Sequence, residues 1–206
     1  LLFTQECEAE PSYEFVPYRF GGFSFTSYAD KRKLIEKGFL ADDDQHWELT
    51  DVGRKVARER AVNPLQAVVF CRQHANLRGN GLIIEQYRRY PYYATRSELL
   101  DKLALEPEAL ARIMAARPKP QAAGLLTIGY EGRSLECYLN ELLRAGVTVL
   151  CDVRRNPLSR KYGFSKGTLS KACAGVGIRY EHLPELGIAS EARQGLAIQA
   201  DYDELV

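Results

Sequence analysis

No stretch of this sequence approaches the roughly 20 consecutive apolar residues of a membrane-spanning helix, and no signal peptide is evident, so no membrane partner is expected. Charge of one sign is not in excess either. With 28 basic and 27 acidic residues the formal charge is +1, so attraction to nucleic acid would have to come from local patches. The five cysteines (Cys7, Cys71, Cys137, Cys151 and Cys173) show no Cys-x-x-Cys spacing. Their odd number, with Cys137, Cys151 and Cys173 at positions expected to face a core, predicts reduced thiols and a cytoplasmic location. His46, His74 and His182 stand at neither finger nor ribbon spacing, and no metal site is predicted. Gly-x-Gly-x-x-Gly, Gly-x-x-x-x-Gly-Lys-Ser/Thr and a serine nucleophile elbow are all missing, which removes the main support for dinucleotide, P-loop and serine-hydrolase chemistry. Cys151 to Arg155 is too short a spacing for the phosphate-cradling loop of cysteine phosphatases. No pattern identifies a cofactor.

The 206 residues suffice for one large domain or two small ones, and 46% hydrophobic with 27% charged residues is ordinary for a soluble globular protein. The chain opens Leu1-Leu2-Phe3 without methionine and is expected to be clipped upstream. Three regions separate by composition. Residues 1–62 predict a helix around Tyr28 to Ile35 ended by Gly38, an acidic turn at Asp42-Asp43-Asp44 and a strand over His46–Thr50. A helix through Val52, Val56 and Ala57 follows, capped by Thr50 or Asp51. That order is the pattern of a small, mainly helical winged-helix-like domain. Residues 63–120 read as a helical connector, broken at Gly79-Asn80-Gly81 and Pro91 and ending in the linker Arg117 to Gly124. Within it, Gln86 to Ser97 packs four tyrosines and three arginines into twelve positions. They can stack on bases and hold phosphates, or the tyrosines can pack a seam while the arginines reach solvent.

From residue 121 onward the pattern is strand, helix, strand, helix, strand. The strands are expected over Leu125–Tyr130, Val147–Val153 and Ile178–Leu183, the helices after Ser134 and Ser165. In a small parallel, three-layer (Rossmann-like) α/β domain, all three following turns emerge at the carboxyl ends of the strands, where such sheets bind ligands. Tyr130 and Arg133 come from the first turn, Arg154, Arg155, Ser159 and Arg160 from the second, and Lys166 from the start of the second helix. From Arg154 to Lys171 there are six basic residues and no acid, so phosphate or another anion is the expected ligand. Lys166 opposes its helix dipole, as it would beside an anion. Asp152 can orient an arginine, accept a proton or hold a metal, or simply pair with Arg154. With Glu185 in the third turn it can form a catalytic carboxylate pair. Tyr180 and His182 lie on the last strand.

Three motifs together, Thr127 to Gly132, Asp152 to Arg160 and Tyr180 to Gly187, resemble the domain of unknown function 488 family over about residues 124–206. The resemblance implies the α/β fold and leaves the activity open. It also implies a further strand with a Cys-His-Arg tripeptide, absent before Val206, so that the domain is expected to be truncated. Longer members carry an N-terminal extension, and residues 13–62 look like one. Tyr13 to Ser24 resembles the antitoxin-like domains found beside toxin and phage-defence genes, which implies a defence or stress system. The combined expectation is a protein that binds or processes DNA or RNA, with a phosphate or nucleotide site at the strand ends. The first domain would touch duplex or a protein partner, although three aspartates at the wing would repel DNA. The alternatives are a regulatory module sensing a nucleotide or small anion, and an enzyme acting on a small phosphorylated substrate.

Overall fold

The structure, a computed structural model, describes residues 1–43, 46–60, 64–119 and 121–188. It separates into two compact units, Leu1–Gly146 and a second beginning at Val147.

The first unit opens with helix α1 (Leu2–Cys7) and an antiparallel hairpin, β1 (Val16–Tyr18) with β2 (Gly21–Phe23). The hairpin delivers Ser24 to the start of α2 (Phe25–Glu36), where its hydroxyl accepts from the Ser27 N–H at 3.1 Å. Such a cap replaces a bond the helix cannot make internally, worth about 1 kcal/mol. A second antiparallel hairpin, β3 (Leu40–Asp42) with β4 (Trp47–Leu49), leads into α3 (Asp51–Arg60). Thr50 caps α3 through Gly53 N–H at 3.0 Å. The glycine of Leu-Thr-x-x-Gly has a packing reason, because a Cβ on Gly53 would lie 1.9 Å from the Phe39 carbonyl oxygen. Of the acidic triplet, Asp42 Oδ2 lies 2.5 Å from the buried Lys31 Nζ and Asp43 Oδ1 accepts from His46 N–H at 2.6 Å. Asp44 lies outside the described residues.

Helices α4 (Pro64–Gln73), α5 (Asn80–Arg89), α6 (Pro91–Ala94) and α7 (Pro107–Ala115) follow. Tyr87, Ala94, Leu103 and Ile113 form a buried cluster there. The tyrosine- and arginine-rich segment is packing rather than an open stacking platform. Tyr87 is fully buried with its hydroxyl 2.5 Å from Ser97 Oγ, and Tyr93 meets Phe15 edge-on at 6.4 Å. Arg88 pairs with Glu106 at 2.6 Å, and Arg89 with Glu6 and Glu85 at 2.7 and 2.6 Å.

Helix α8 (Leu135–Arg144) is capped by Ser134, as its sequence predicts, and buries Leu135, Tyr138, Leu139, Leu142 and Leu143. Two polar side chains on it stitch distant segments. Glu136, 1% exposed, accepts from Thr26 N–H (2.8 Å), Thr26 Oγ1 (3.0 Å) and Ser24 Oγ (3.2 Å), so a buried anion sits at the amino end of α2 where the helix dipole favours it. Asn140 donates to Phe15 O at 2.7 Å and accepts from Tyr92 Oη at 2.9 Å.

The second unit contains β5 (Val149–Asp152), α9 (Lys166–Gly175) and β6 (Arg179–His182), the two strands paired in parallel. Its apolar interior is Leu150, Phe164, Leu169, Ala172, Cys173, Val176 and Ile178. Two sequence expectations need correction. Leu125–Tyr130 is not a strand: residues 121–130 carry no regular structure, and Leu125 and Leu126 are 93% and 63% exposed. Apolar β-branched text marks a segment that fits a sheet, but a strand exists only with a ladder partner, and none is formed among the described residues. Cys151 does not face the core. In β5 Leu150 and Asp152 point inward and Cys151 outward, so a one-residue error in parity reversed the expected side.

Candidate functional site: a clamped arginine at the strand ends

Asp152 closes β5, and the register sets His182 opposite it and Tyr180 opposite Leu150. Tyr180 and His182, two apart on β6, therefore share one face, within diagonal reach of the Asp152 carboxylate. That carboxylate is 7% exposed and fully occupied. Oδ1 accepts from Arg154 N–H at 3.1 Å and Arg154 Nε at 2.8 Å, and Oδ2 accepts from Arg154 Nη2 and Tyr180 Oη, each at 2.5 Å. The Arg154 fork is gripped side-on, the geometry in which guanidinium and carboxylate bond most strongly. Burial pushes the Asp152 carboxyl up, but the bonds from Arg154 and Tyr180 outweigh it and hold the group at about 2. It therefore stays ionised at neutral pH and is a poor general base. Tyr180 is pushed well above the phenol range, first by burial and then by the bond it donates to the anion. Burial, with the Asp152 charge adding, lifts the Cys173 thiol to about 12, so it is not a nucleophile.

His182 extends this network outward. Its Nε2 lies 2.9 Å from Arg154 O, and its Nδ1 lies 3.0 Å from Lys166 Nζ on the first turn of α9. The loop between β5 and α9 is tied by its own serines. Ser165 occupies the cap position of α9 without capping it; its hydroxyl donates to Ser159 O and accepts from Ser159 N–H, both at 3.1 Å. Ser159 Oγ accepts from Lys161 N–H at 3.1 Å, and Lys166 N–H donates to Pro157 O at 2.9 Å. Ser159 thus shapes the loop. The third turn, a short 3-10 helix at Pro184–Leu186, ends at Gly187, whose backbone presses on the second turn. A Cβ there would sit 2.2 Å from Val153 O and 2.5 Å from Arg155 N, so only glycine lets the two turns meet.

The predicted residues therefore divide. Asp152 and Arg154 form the buried clamp, joined by Tyr180, His182 and Lys166. Arg155, Arg160 and Glu185 are exposed on the turns, with no ion-pair partner among the described residues. Tyr130 and Arg133 belong to the first unit. There the Arg133 Nε donates to both Glu141 carboxylate oxygens at 2.9 Å, and its Nη1 donates to Gly129 O at 2.8 Å. Among the described residues no group of three or more His, Cys, Asp or Glu side chains converges to hold a metal. The sequence marked Tyr180 and His182 only as strand residues. Their alternation with Glu181 was the available signal for a shared face, but nothing local tied it to Asp152.

No curated protein and no solved structure matches the chain. Residues 134–206 match the family model described as Domain of unknown function DUF488.

Proposed function

We propose that this chain is a cytoplasmic nucleic-acid-binding or nucleic-acid-processing protein that takes phosphate at the carboxyl ends of β5 and β6. One observation carries the reading. The nearby acid, Asp152, is consumed by Arg154 and Tyr180, and no other acid occurs from Arg154 to Lys171. The loop therefore presents Arg155, Arg160 and Lys166 as an uncompensated basic surface beside a rigid fork. Fixed guanidinium and ammonium groups on one surface suit phosphate oxygens. Asp152 then serves by orienting Arg154, not by moving protons. Glu185, exposed one turn away, is the remaining acid–base candidate.

In this reading β5, α9 and β6 are the core of a Rossmann-like parallel sheet, and the chain is a long DUF488 form with a winged-helix-like extension. The order α2, β3–β4, α3 supports the extension. Trp47, Leu49 and Val52 are 62%, 41% and 57% exposed on its hairpin and following helix, which favours contact with a protein partner over DNA phosphates.

The test is anisotropy of labelled single-stranded and duplex oligonucleotides across a salt series, with Arg155→Ala/Arg160→Ala beside the parent. Two lost phosphate contacts should flatten the log–log salt slope by roughly 1.4 to 1.8. Binding that is absent at low salt removes the nucleic-acid reading. Retention of pyrophosphate or ATP in the same protein would then identify a nucleotide or small-anion sensor, and turnover of such a ligand an enzyme on small phosphorylated substrates.

A further inference from the structure

The Lys166–His182–Arg154 chain fixes more than a contact. A lysine ammonium has donors only, and a backbone carbonyl oxygen accepts only. The ring that joins Lys166 Nζ at 3.0 Å to Arg154 O at 2.9 Å must offer a lone pair at Nδ1 and a proton at Nε2. His182 is therefore held as the neutral Nε2–H tautomer. Its backbone is fixed by the β5–β6 ladder opposite Asp152, so the ring is anchored while the long Lys166 side chain is exposed and would otherwise range freely. The charged and titratable groups around the ring are Asp152 across the ladder, Arg154 from the turn after β5 and Lys166 from α9. Tyr180 and Glu181 lie on its own strand, and Glu185 follows in the next turn.

We infer that His182 is a positioning residue of the phosphate site: the neutral ring holds Lys166 at the strand ends, and a proton on Nδ1 releases it. Protonation replaces the acceptor with a donor and sets a cation against the ammonium, so the contact cannot survive, whereas Nε2–H to Arg154 O can. This rests on the phosphate reading of the site and adds its regulation: the share of affinity supplied by Lys166 should be present near neutral pH and absent in acid.

The experiment uses the full chain and a labelled single-stranded oligonucleotide, whose phosphodiesters keep one charge throughout the range. Binding is measured for the parent, Lys166→Ala, His182→Gln and the double variant at about pH 7.5 and about pH 5. Glutamine keeps one acceptor and one donor and does not titrate. Lys166→Ala should weaken the parent about 3- to 10-fold at the higher pH and hardly at all at the lower. In the His182→Gln background the loss should persist at both. An equal loss at both pH values in the parent would overturn the inference while leaving the phosphate reading intact. If the oligonucleotide does not bind at all, that reading fails, and the ring-nitrogen NMR spectrum of the unmodified chain decides the inference separately. A neutral Nε2–H ring near pH 7.5 whose Nδ1 signal moves in Lys166→Ala supports it. An Nδ1–H or doubly protonated ring, or a signal indifferent to Lys166, refutes it.

Discussion

Replacing Asp152 with asparagine should loosen the second unit by an amount that depends on pH. The carboxyl sits at about 2 in the folded chain against an ordinary 3.8. At about 1.4 kcal/mol per pH unit, that difference contributes about 2 kcal/mol of stability at pH 7. Because the folded group titrates below the unfolded one, the contribution is complete above about pH 5, roughly half gone at pH 3 and lost as the pH falls past 2. Asparagine also leaves the Arg154 guanidinium without its counter-charge. Its side chain is only 20% exposed, so the total penalty at pH 7 should reach about 2–4 kcal/mol. Hydrogen exchange, followed on peptides covering β5 and β6, reads this locally; Trp47 fluorescence does not, because Trp47 lies in the other unit. The parent and Asp152→Asn should differ strongly at pH 7 and by about 1 kcal/mol less at pH 3. A pH-independent difference, or none at pH 7, would show that the clamp does not hold the strand ends together.

Three further outcomes follow from other contacts. Tyr180→Phe removes one donor to the same carboxylate and should cost about 1–3 kcal/mol, with the double variant Asp152→Asn/Tyr180→Phe less damaging than the sum; strict additivity would separate the two residues. Glu136→Ala strands three donors at the amino end of α2 and should cost about 2–4 kcal/mol, measured by urea unfolding through the single tryptophan; an unchanged midpoint would mean water serves those donors equally well. Gly187→Ala must force the second and third turns apart, so exchange should quicken at Val153–Arg155 and oligonucleotide affinity should fall. Normal exchange there would contradict the close approach.

Helix caps, helix breaks and the basic loop were legible because each is written in neighbouring residues. Ser134 caps the helix it precedes, Thr50 marks the start of α3, and six cations without an acid mark a basic loop wherever it lies. The same local reading failed where identity depends on a partner. Leu125–Tyr130 has strand text but no ladder among the described residues, and Cys151 was placed on the wrong side because strand parity is set by what the sheet packs against. Ser165 sits where a cap belongs, yet its hydroxyl goes to Ser159.

What the sequence by itself determined is the inventory: two strand-end motifs around residues 152 and 182 and the basic loop between them. Only the tertiary structure decided what Asp152 does. Sequence allowed it to be a base, a metal ligand or an orienting group, since those roles differ in distances of an ångström or two between residues nearly 30 apart. Parallel pairing of β5 with β6 brought Tyr180 and His182 to the same strand end, and the resulting hydrogen bonds fixed the carboxylate as an anion that grips Arg154. Protonation state follows from those partners, and no spacing along the chain encodes them.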